Sequence, residues 1–517
     1  MKFRDKLNAV RMPGLPRGIA VRDDAVADLA DPVAVADNAN VEDEVQARSR
    51  VDVDLEGDGD ASPSLSHSRL STIRNLRSRL ASMHAKPAPA PVAAALGPVR
   101  AQLARVAAPK SVVPGERSET ALGPLYRVVV KHDEDHRHGS ALVSLAARVC
   151  PQEVALLALD PALADIDYSR ALYIDTETTG LAGGTGTLPF LIGMAWFEGE
   201  CLVVEQLVLP RPGLEGPMLA RLAERLAQAS AIVSYNGKSF DWPLLRTRFI
   251  LNRIAAPRLP PHLDLLHAAR RVYKSRLGSV RLIFLEQALM GFERIDDIPG
   301  ELIPETYLSF LRGATPGETL LPILDHNRSD LIALPALLGE IVRRFAGDQR
   351  QDPRDQLSFA RVLSRGDASL GSRPQSSAPT ERAIAFAHAA VESDLRGELA
   401  ATALYLVGEL KLRQGDLEGA IGAFEGSLAA SVGAFDNARA HLALAKLHEH
   451  KTKQCARALA HAAETAACEG EDATARRVAR LGLRLAKLAQ GRHPGARPEA
   501  PNPAGRREKG PRNSANT

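Results

Sequence analysis

The arrangement of apolar and polar residues divides the chain into stretches of different character. From Leu125 to about Phe345, apolar runs of strand length alternate with segments of helical period, which predicts an α/β domain. From Glu381 to Gln490 the pattern is helical almost throughout and rich in alanine, which predicts an all-α region. Residues 1–120 carry acidic, basic and proline-rich runs, so we expect them to be disordered, with one short basic helix over Ser68–Met83 as the alternative for that stretch.

Within the α/β stretch, the order of the patterns indicates a sheet that begins as a hairpin meander. YRVVVKH alternates in polarity, and LYIDTE, FLIGMAWF and CLVVEQLVL are apolar runs, the last two joined by a turn at EGE. GLEGPMLARLAERLAQ and DWPLLRTRFILNR are helical in period and enclose the strand AIVSYN. We therefore expect a mixed central sheet with helices over residues 121–345, followed by a linker over residues 346–380.

The helical region over residues 381–490 contains a segment that resembles a tetratricopeptide repeat. ALYLVGELKLRQGDLEGAIGAFEGSL fits a helix pair of about 34 residues, and Gly408, Ala420 and Phe424 stand at that family's small, small and aromatic packing positions. The consensus Trp and Pro are missing, so a plain array of helical hairpins is the alternative. In either form the region would bind a protein partner or guide a substrate. The proline-containing tail over residues 491–517 is expected to be disordered and basic.

Composition excludes several classes of protein. Lys+Arg 65 against Asp+Glu 62 gives a net charge of +3, so the net charge selects no partner. The four cysteines, Cys150, Cys201, Cys455 and Cys468, form no CxxC pair, which argues against a zinc knuckle, a redox motif or a disulfide framework. No secretory signal and no apolar run long enough to span a membrane are present, so we expect a cytoplasmic protein.

Two acidic residues at the end of an apolar strand are the first candidate for chemistry. LYIDTETTG places Asp175 and Glu177 two residues apart, and the period of a strand sends both side chains to one face. Neighbouring carboxylates on a buried strand repel each other and are costly to desolvate, and a divalent cation between them removes that conflict. Carboxylate oxygens suit Mg²⁺ or Mn²⁺. Acids that only cap a helix are the alternative.

Two further segments offer acids to the same centre. In SYNGKSFDW a strand is followed by a turn, and Asp241 begins a helix, where it would either cap that helix or bind a metal ion. Asn236 in the turn would contact a substrate or a metal-bound water. In LDHNRSDLIAL, His326 and Asp330 share one helix face. His326 would take a proton from an attacking water or orient it, unless the two form only a local His–Asp pair.

The motifs DTE, NxxxFD and HxxxD resemble the three exonuclease motifs of the DEDD (DnaQ-like) 3′–5′ exonuclease superfamily, which has the ribonuclease H-like fold. More narrowly, TETTGLAGGTGTLPFLIG, SYNGKSFDWPLL and DHNRSDLIAL resemble the YprB-like bacterial branch. The resemblance covers about residues 120–345. It implies that Asp175, Glu177, Asp241 and Asp330 bind two Mg²⁺ or Mn²⁺ ions and that His326 positions the water. The family usually has Tyr four residues before this Asp or His five residues before it, whereas this chain has His at four.

The function implied by the resemblance is two-metal hydrolysis of phosphodiester bonds, in the manner of a 3′–5′ exonuclease acting on a single-stranded end of a nucleic acid. The alternative belongs to another class of protein. It is a nucleic-acid-binding or scaffolding protein whose nuclease-like domain does not turn over and whose helical repeat binds a protein partner.

A basic stretch follows the second motif. Between Leu245 and Leu282 there are nine Arg and Lys residues against one acid, Asp264. A solvated face is the ordinary reason for such a run, but its place beside the candidate centre favours phosphate contacts. The residues expected to bind substrate are Thr178, Asn236, Lys238, Arg271 and Lys274. We expect Asp264 to cap a helix, and Trp242 and Tyr273 to pack in the core in preference to stacking on bases.

Overall fold

The computed structural model describes residues 113–180, 186–347, 351–369 and 378–490. Residues 1–112 of the predicted disordered region, residues 181–185 of the glycine-rich segment and the predicted tail from residue 491 lie outside the described residues. None of the helices in the described part of the chain combines the length and the apolar character needed to cross a membrane.

A seven-stranded mixed sheet forms the centre of the α/β region, in the order β1-β2-β7-β6-β5-β8-β9. Neighbours from β1 to β5 pair antiparallel, whereas β8 pairs parallel with both β5 and β9. The strands of this sheet are β1 (Glu116–Thr120), β2 (Gly123–His132), β5 (Leu172–Thr178), β6 (Pro189–Glu198), β7 (Cys201–Val208), β8 (Ile232–Ser234) and β9 (His262–Asp264). A separate two-stranded sheet consists of β3 (Arg137–His138) and β4 (Ala141–Leu142).

The structure confirms the predicted fold of the α/β region and corrects one end of it. The hairpin expected at EGE joins β6 and β7, with Gly199 at a positive φ of 65°. Residues 116–120, which the sequence pattern assigned to the disordered region, form the edge strand β1. Its residues are mostly exposed and polar because only one of its edges is paired, so no apolar alternation marked it as a strand.

Helices cover the sheet and then continue as an all-helical region. In the α/β region they are α1 (Pro151–Ala158), α2 (Gly216–Gln228), α3 (Asp241–Leu251), α4 (Leu265–Leu277), α5 (Leu282–Leu285), α6 (Ile303–Leu311) and α7 (Leu321–Phe345). A π-helical turn, Glu286–Met290, continues α5. Beyond them lie α8 (Pro353–Ser369), α9 (Ala378–Glu392), α10 (Gly397–Gln414), α11 (Leu417–Ala430), α12 (Ala434–His450), α13 (Cys455–Ala462), α14 (Ala466–Glu469) and α15 (Glu471–Gln490).

Alternation along β5 assigns its residues to two separate cores. Leu172 and Ile174 belong to one apolar cluster, whereas Tyr173 belongs to the other, which also contains the C-terminal half of α7. Asp175 and Glu177 have the same parity as Tyr173, so they lie on the α7 side of the sheet. The fold therefore places the end of β5 beside the first turns of α7.

The helical region is continuous with the larger of these two cores. The buried cluster that contains Tyr173 also contains residues of α8, α9 and α10, and Phe359 of α8 contacts the rings of Tyr273 and Phe345. The boundaries proposed for the linker and the two domains stay predictions. Helices α10 and α11 pair as a hairpin in which Phe424 packs against the backbone of Gly408, an arrangement that suits both a tetratricopeptide-like repeat and a plain helical hairpin.

Candidate active site

The end of β5 and the N-terminal part of α7 carry the acids of the first and third motifs. The side-chain amide of Asn327, on α7, donates a hydrogen bond to Asp175 Oδ2 at 2.8 Å. Nε2 of His326 lies 4.0 Å from Glu177 Oε1 and 3.8 Å from Asp330 Oδ2. Residues far apart in the sequence thus converge on one side of the sheet.

A glycine allows α7 to approach the sheet this closely. Gly193, on β6, lies opposite Asp175 in the register. A Cβ atom at Gly193 would lie 2.7 Å from Leu331 Cδ1 and closer still to Asn327 Oδ1. Asn327 is fully buried, and its Oδ1 accepts a hydrogen bond from Gln206 Nε2 at 2.9 Å. The buried amide pair fixes the orientation of Asn327 and therefore of Asp175.

Asp241 reaches the same centre from α3. The sequence left open whether it caps its helix, but Phe240 holds the cap position and Asp241 is the first helical residue. The hydroxyl of Thr176, which has the opposite parity to Asp175 on β5, donates to Asp241 Oδ1. A Cβ atom at Gly237 would lie 3.1 Å from Asp241 Oδ2 and 2.5 Å from Ser234 Oγ, so this turn also depends on glycine for space.

Burial raises the pKa values of all four acids, and repulsion by other members of the group also raises those of Asp175 and Glu177. The pKa of Asp175 lies well above its ordinary range because the carboxyl is buried and because Asp330, Glu177 and Asp241 repel its charge. Burial, Asp330 and Asp241 raise the pKa of Glu177 to about 8. Burial raises the pKa of Asp241 to about 6 against the hydrogen bond from Thr176, and burial also raises that of Asp330. Four buried acids, two of which are destabilised in their charged forms by the others, form an environment suited to a cation.

A protein cation, Arg294, contacts this centre in the described structure. Its guanidinium donates to Asp330 Oδ1 and pairs with buried Glu286 (Nε to Oε2 2.8 Å) and with Asp297 (Nη1 to Oδ2 3.3 Å). Within the described residues, no group of three or more His, Cys, Asp or Glu side chains is arranged to hold a metal ion. Carboxylate oxygens are nevertheless the ligands that suit Mg²⁺ or Mn²⁺. In the described structure, Asp175, Asp241 and Asp330 each have one oxygen that already accepts a hydrogen bond from the protein.

His326 is oriented by a carboxylate that motif analysis missed. Its Nδ1 lies 2.8 Å from Asp297 Oδ1, and its Nε2 points toward Glu177 and Asp330. A histidine that donates Nδ1–H to a carboxylate keeps Nε2 free to accept a proton. The carboxylate that holds the His326 ring is therefore Asp297. Asp330, four residues after His326 on the same helix, lies farther from the ring, at 3.8 Å.

Comparison with known proteins finds relatives of the α/β region. Residues 172–342 match the family model RNase_H_2, described as RNase_H superfamily. This part of the chain has an RNase H-like fold. The chain is also 34% identical over 239 residues to "Uncharacterized protein YprB" of Bacillus subtilis (strain 168), a match that covers 45% of this chain and 56% of that relative. The matched region thus spans little more than half the length of that curated relative.

The turn in the second motif, SYNGKSFDW, is stabilised by the side chain of Asp264. This buried carboxylate accepts hydrogen bonds from the main-chain N–H groups of Asn236 (2.8 Å), Lys238 (3.1 Å) and Leu266 (3.1 Å). The predicted helix cap is confirmed by the bond to Leu266 at the start of α4. The same carboxylate also fixes the turn at Asn236, whose φ is +66°.

The residues expected to bind substrate have different settings. Lys238 is exposed in the turn before α3, and the hydroxyl of Thr178 donates to the carbonyl of Gly180 at 3.0 Å. Lys274 is exposed on α4, whereas Arg271 is half-buried and donates to the Leu157 carbonyl at 3.1 Å. Their roles toward a substrate stay predictions.

Part of the basic stretch is engaged with acids inside the fold. Arg248 is buried and pairs with Glu215, with Nη2 and Oε2 2.5 Å apart. Arg276 pairs with Asp355 of α8 at 2.8 Å. Two of the nine basic residues are therefore occupied in ion pairs within the fold. Tyr273 is fully buried, and Trp242 packs against the apolar cluster that contains Leu172 and Ile174. The prediction that both rings pack in the core is confirmed.

Sequence reasoning missed Arg294, Asp297 and Glu286, since they lie in or just before the irregular segment between α5 and α6 and form no local motif. Asn327 follows His326 in the third motif and stands three residues before Asp330 on the same helix. That spacing places Asn327 and Asp330 on one helix face, so Asn327 could have been predicted as a site residue. Gly193 stands in the middle of an apolar strand, where a glycine often marks close approach of another element.

Proposed function

We propose that the RNase H-like domain is a metal-dependent nuclease that hydrolyses phosphodiester bonds of nucleic acid and acts as a 3′–5′ exonuclease. One observation carries the proposal: Asp175, Glu177, Asp241 and Asp330, from three separate segments, lie together at the end of β5, where the charges of the others raise the pKa values of Asp175 and Glu177. The match of residues 172–342 to the RNase_H superfamily supports the reaction class. The polarity of cleavage follows only from the motif resemblance.

The four carboxylates would hold the two Mg²⁺ or Mn²⁺ ions. When bound, such ions supply Lewis-acid activation of the attacking water and stabilise the leaving oxygen. Arg294 contacts only Oδ1 of Asp330, so an ion would bind this carboxylate through Oδ2 or displace Arg294 from Oδ1. Asn327 and Thr176 keep Asp175 and Asp241 oriented through their hydrogen bonds.

The protein's own proton acceptor in this proposal is His326. Asp297 holds the ring through Nδ1, so Nε2 faces the space between Glu177 and Asp330. Nε2 accepts the proton of the attacking water, and the Asp297 carboxylate stabilises the imidazolium that results. His326→Gln should therefore lower the turnover number more than it lowers affinity for the nucleic acid.

The decisive experiment compares hydrolysis by the wild-type chain and by Asp175→Ala. Labelled single-stranded DNA, single-stranded RNA and duplexes are incubated with Mg²⁺ or Mn²⁺, and the products are resolved by length. We expect the wild type to shorten one of these substrates stepwise and Asp175→Ala to lose activity by a factor of at least ~1000, because the acids act as one unit. Equal activity in both preparations would identify a contaminating nuclease and remove the proposal.

A binding or scaffolding protein is the second candidate function. It is favoured by the direct contact of Arg294 with Asp330 and by the lack of a preformed metal-ligand set among the described residues. Nucleic-acid binding without hydrolysis, unchanged by Mn²⁺ across the whole series of substrates, would support this candidate over the enzyme.

A further inference from the structure

A chain of buried contacts connects the small β3–β4 sheet with the carboxylate centre. Nε2 of His138, on β3, lies 2.7 Å from Glu286 Oε1. Glu286 accepts two hydrogen bonds from the guanidinium of Arg294, from Nε to Oε2 at 2.8 Å and from Nη2 to Oε1 at 3.0 Å. The same Nη2 also donates to Asp330 Oδ1. A residue that precedes the matched residues 172–342 thus helps to hold a cation against one of the four acids.

The fold holds Arg294 firmly in this position. The side chains of His138, Glu286 and Arg294 are 4%, 0% and 5% exposed, so water solvates them very little. The ring of His138 stacks on that of Phe292, with the ring centres 3.8 Å apart. If Arg294 moved away, the buried Glu286 carboxylate would lose its guanidinium partner, and such a loss is costly in the interior. Arg294 is therefore a built-in part of the fold and not a mobile surface side chain.

The guanidinium compensates part of the negative charge of the centre. Although burial by itself lowers the pKa of Arg294, its contacts with Asp330 and Glu286 raise it above the ordinary value, so Arg294 stays positively charged. Burial raises the pKa values of Asp330 and Glu177, and the charge of Arg294 opposes the rise in both. A divalent cation would act on these carboxylates in the same direction. Arg294 and such an ion would therefore act on the same negative charge.

The contact with Asp330 also engages an oxygen that a metal ion could use. All three guanidinium nitrogens of Arg294 donate to carboxylates, since Nη1 lies 3.3 Å from Asp297 Oδ2. An ion that approached Asp330 would therefore meet a fixed positive charge, and like charges this close repel each other strongly in a buried site.

These contacts give Arg294 a role at the centre beyond that of a structural ion pair. We propose that Arg294, held by the His138–Glu286 pair, is the resident cation of the carboxylate centre and competes with a divalent ion for Asp330. His138 and Glu286 are positioning residues in this proposal, because they act on the centre through Arg294. The proposal rests on the proposed function, since it concerns metal binding by the same acids.

The test measures Mn²⁺ binding to the full-length chain by isothermal titration calorimetry, without nucleic acid. In the double variant, Arg294→Gln and Glu286→Gln together remove the buried ion pair, so neither charge is left without its partner. The single variant is Glu286→Gln alone, which keeps the charge of Arg294 and removes one of the carboxylates that offset it. The control, Arg276→Gln with Asp355→Asn, removes another ion pair of the fold, between α4 and α8, in which Nη2 and Oδ2 are 2.8 Å apart.

We expect the two variants to shift the affinity for Mn²⁺ in opposite directions. The double variant should have a dissociation constant roughly 10-fold lower than that of the control, because the charge of Arg294 acts on Asp330 more strongly than that of Glu286 does. The single variant should have a dissociation constant several-fold higher than that of the wild type, because its guanidinium is less compensated and holds Asp330 more firmly.

A purely structural role of the ion pair predicts unchanged affinity or weaker binding in both variants, and either result would overturn the proposal. Thermal unfolding in EDTA shows which variants are folded. If the double variant is not folded, the single variant decides: weaker Mn²⁺ binding supports the proposal, and equal or tighter binding overturns it.

The outcomes separate this proposal from the nuclease. If Asp175→Ala abolishes hydrolysis while the double variant and the control bind Mn²⁺ equally, the nuclease stands and the proposal for Arg294 fails. If the two variants shift Mn²⁺ affinity in opposite directions while the wild type hydrolyses no substrate, Arg294 stands as the resident cation of a metal site and the nuclease proposal fails.

Discussion

Replacing Glu177 with glutamine should increase the stability of the metal-free protein, although Glu177 lies in the proposed active site. The side chain of Glu177 is 13% exposed. Burial and the charges of Asp330, Asp241 and Asp297 raise its pKa from an ordinary 4.5 to about 8, against the opposing charge of Arg294. The charged form of Glu177 therefore destabilises the fold, and an uncharged amide of the same shape removes that effect.

The direction of the pH dependence follows from this shift. Because the folded protein binds the Glu177 proton more tightly than the unfolded chain does, the stabilisation is complete below pH 4.5 and is lost as the pH rises through about 8. Between pH 5 and pH 8 the free energy of unfolding of the wild type should fall by up to about 3 kcal/mol from this group. In Glu177→Gln that part of the fall should be absent.

The assay is chemical denaturation in EDTA at a series of pH values, followed by circular dichroism. The control is Glu301→Gln, at an exposed position away from the cluster. We expect the denaturation midpoint of Glu177→Gln to exceed that of the wild type increasingly toward pH 8, whereas the control follows the wild type. Parallel pH profiles for all three proteins would refute the claim that the carboxylates repel one another in the fold.

Divalent cations provide the second half of this test. A ligand that binds only the folded state stabilises it by about 2.7 kcal/mol at 100 times its dissociation constant. Mn²⁺ should therefore raise the midpoint of the wild type and reduce its pH dependence, and it should stabilise Glu177→Gln less. If Mn²⁺ shifts the wild type and the variant equally, the ion does not bind at this carboxylate.

Two steric predictions follow from close contacts of glycines. Gly193→Ala should lower the free energy of unfolding by about 1–3 kcal/mol, because its Cβ atom would lie 2.7 Å from Leu331 Cδ1. The control Gly186→Ala should leave it unchanged, because no atom lies within 4 Å of that position. Thermal unfolding of both variants tests the difference. Gly408→Ala should destabilise the helical region, because its Cβ atom would lie 2.6 Å from Phe424 Cε1. The control Gly422→Ala, in open space on the paired helix, should be neutral or stabilising. A Gly408→Ala variant as stable as the wild type would show that the α10–α11 hairpin is less closely packed than described.

The parts of the fold that obey a period were predictable from the sequence. The apolar runs of β5, β6 and β7 and the helical periods of α2 and α3 appear where the patterns placed them, because their burial repeats along the chain. The edge strand β1 was missed because an edge strand in water needs no apolar face. The order in which the strands pair could not be predicted from local patterns, because it depends on contacts between residues far apart in the chain.

The candidate site divides in the same way. The carboxylates could be found because each stands at a recognisable end of a strand or on a helix. The cations and acids around them could not, because Arg294 reaches Asp330 from a segment without regular structure and Asp297 reaches His326 from the same segment. Spacing rules describe residues on one element, and these contacts join different elements.

Space at the site is determined by two glycines as much as by the acids. Neither Gly193 nor Gly237 has a positive φ, so the backbone at both positions is open to any residue. An alanine at Gly193 would leave too little space for Asn327, which contacts Asp175, and an alanine at Gly237 would crowd the Asp241 carboxylate. A carboxylate cluster that repels itself does not assemble by attraction among its members. It is held instead by the close packing of α3 and α7 on the sheet, which these two glycines permit, and by amide and hydroxyl donors that fix each acid in place.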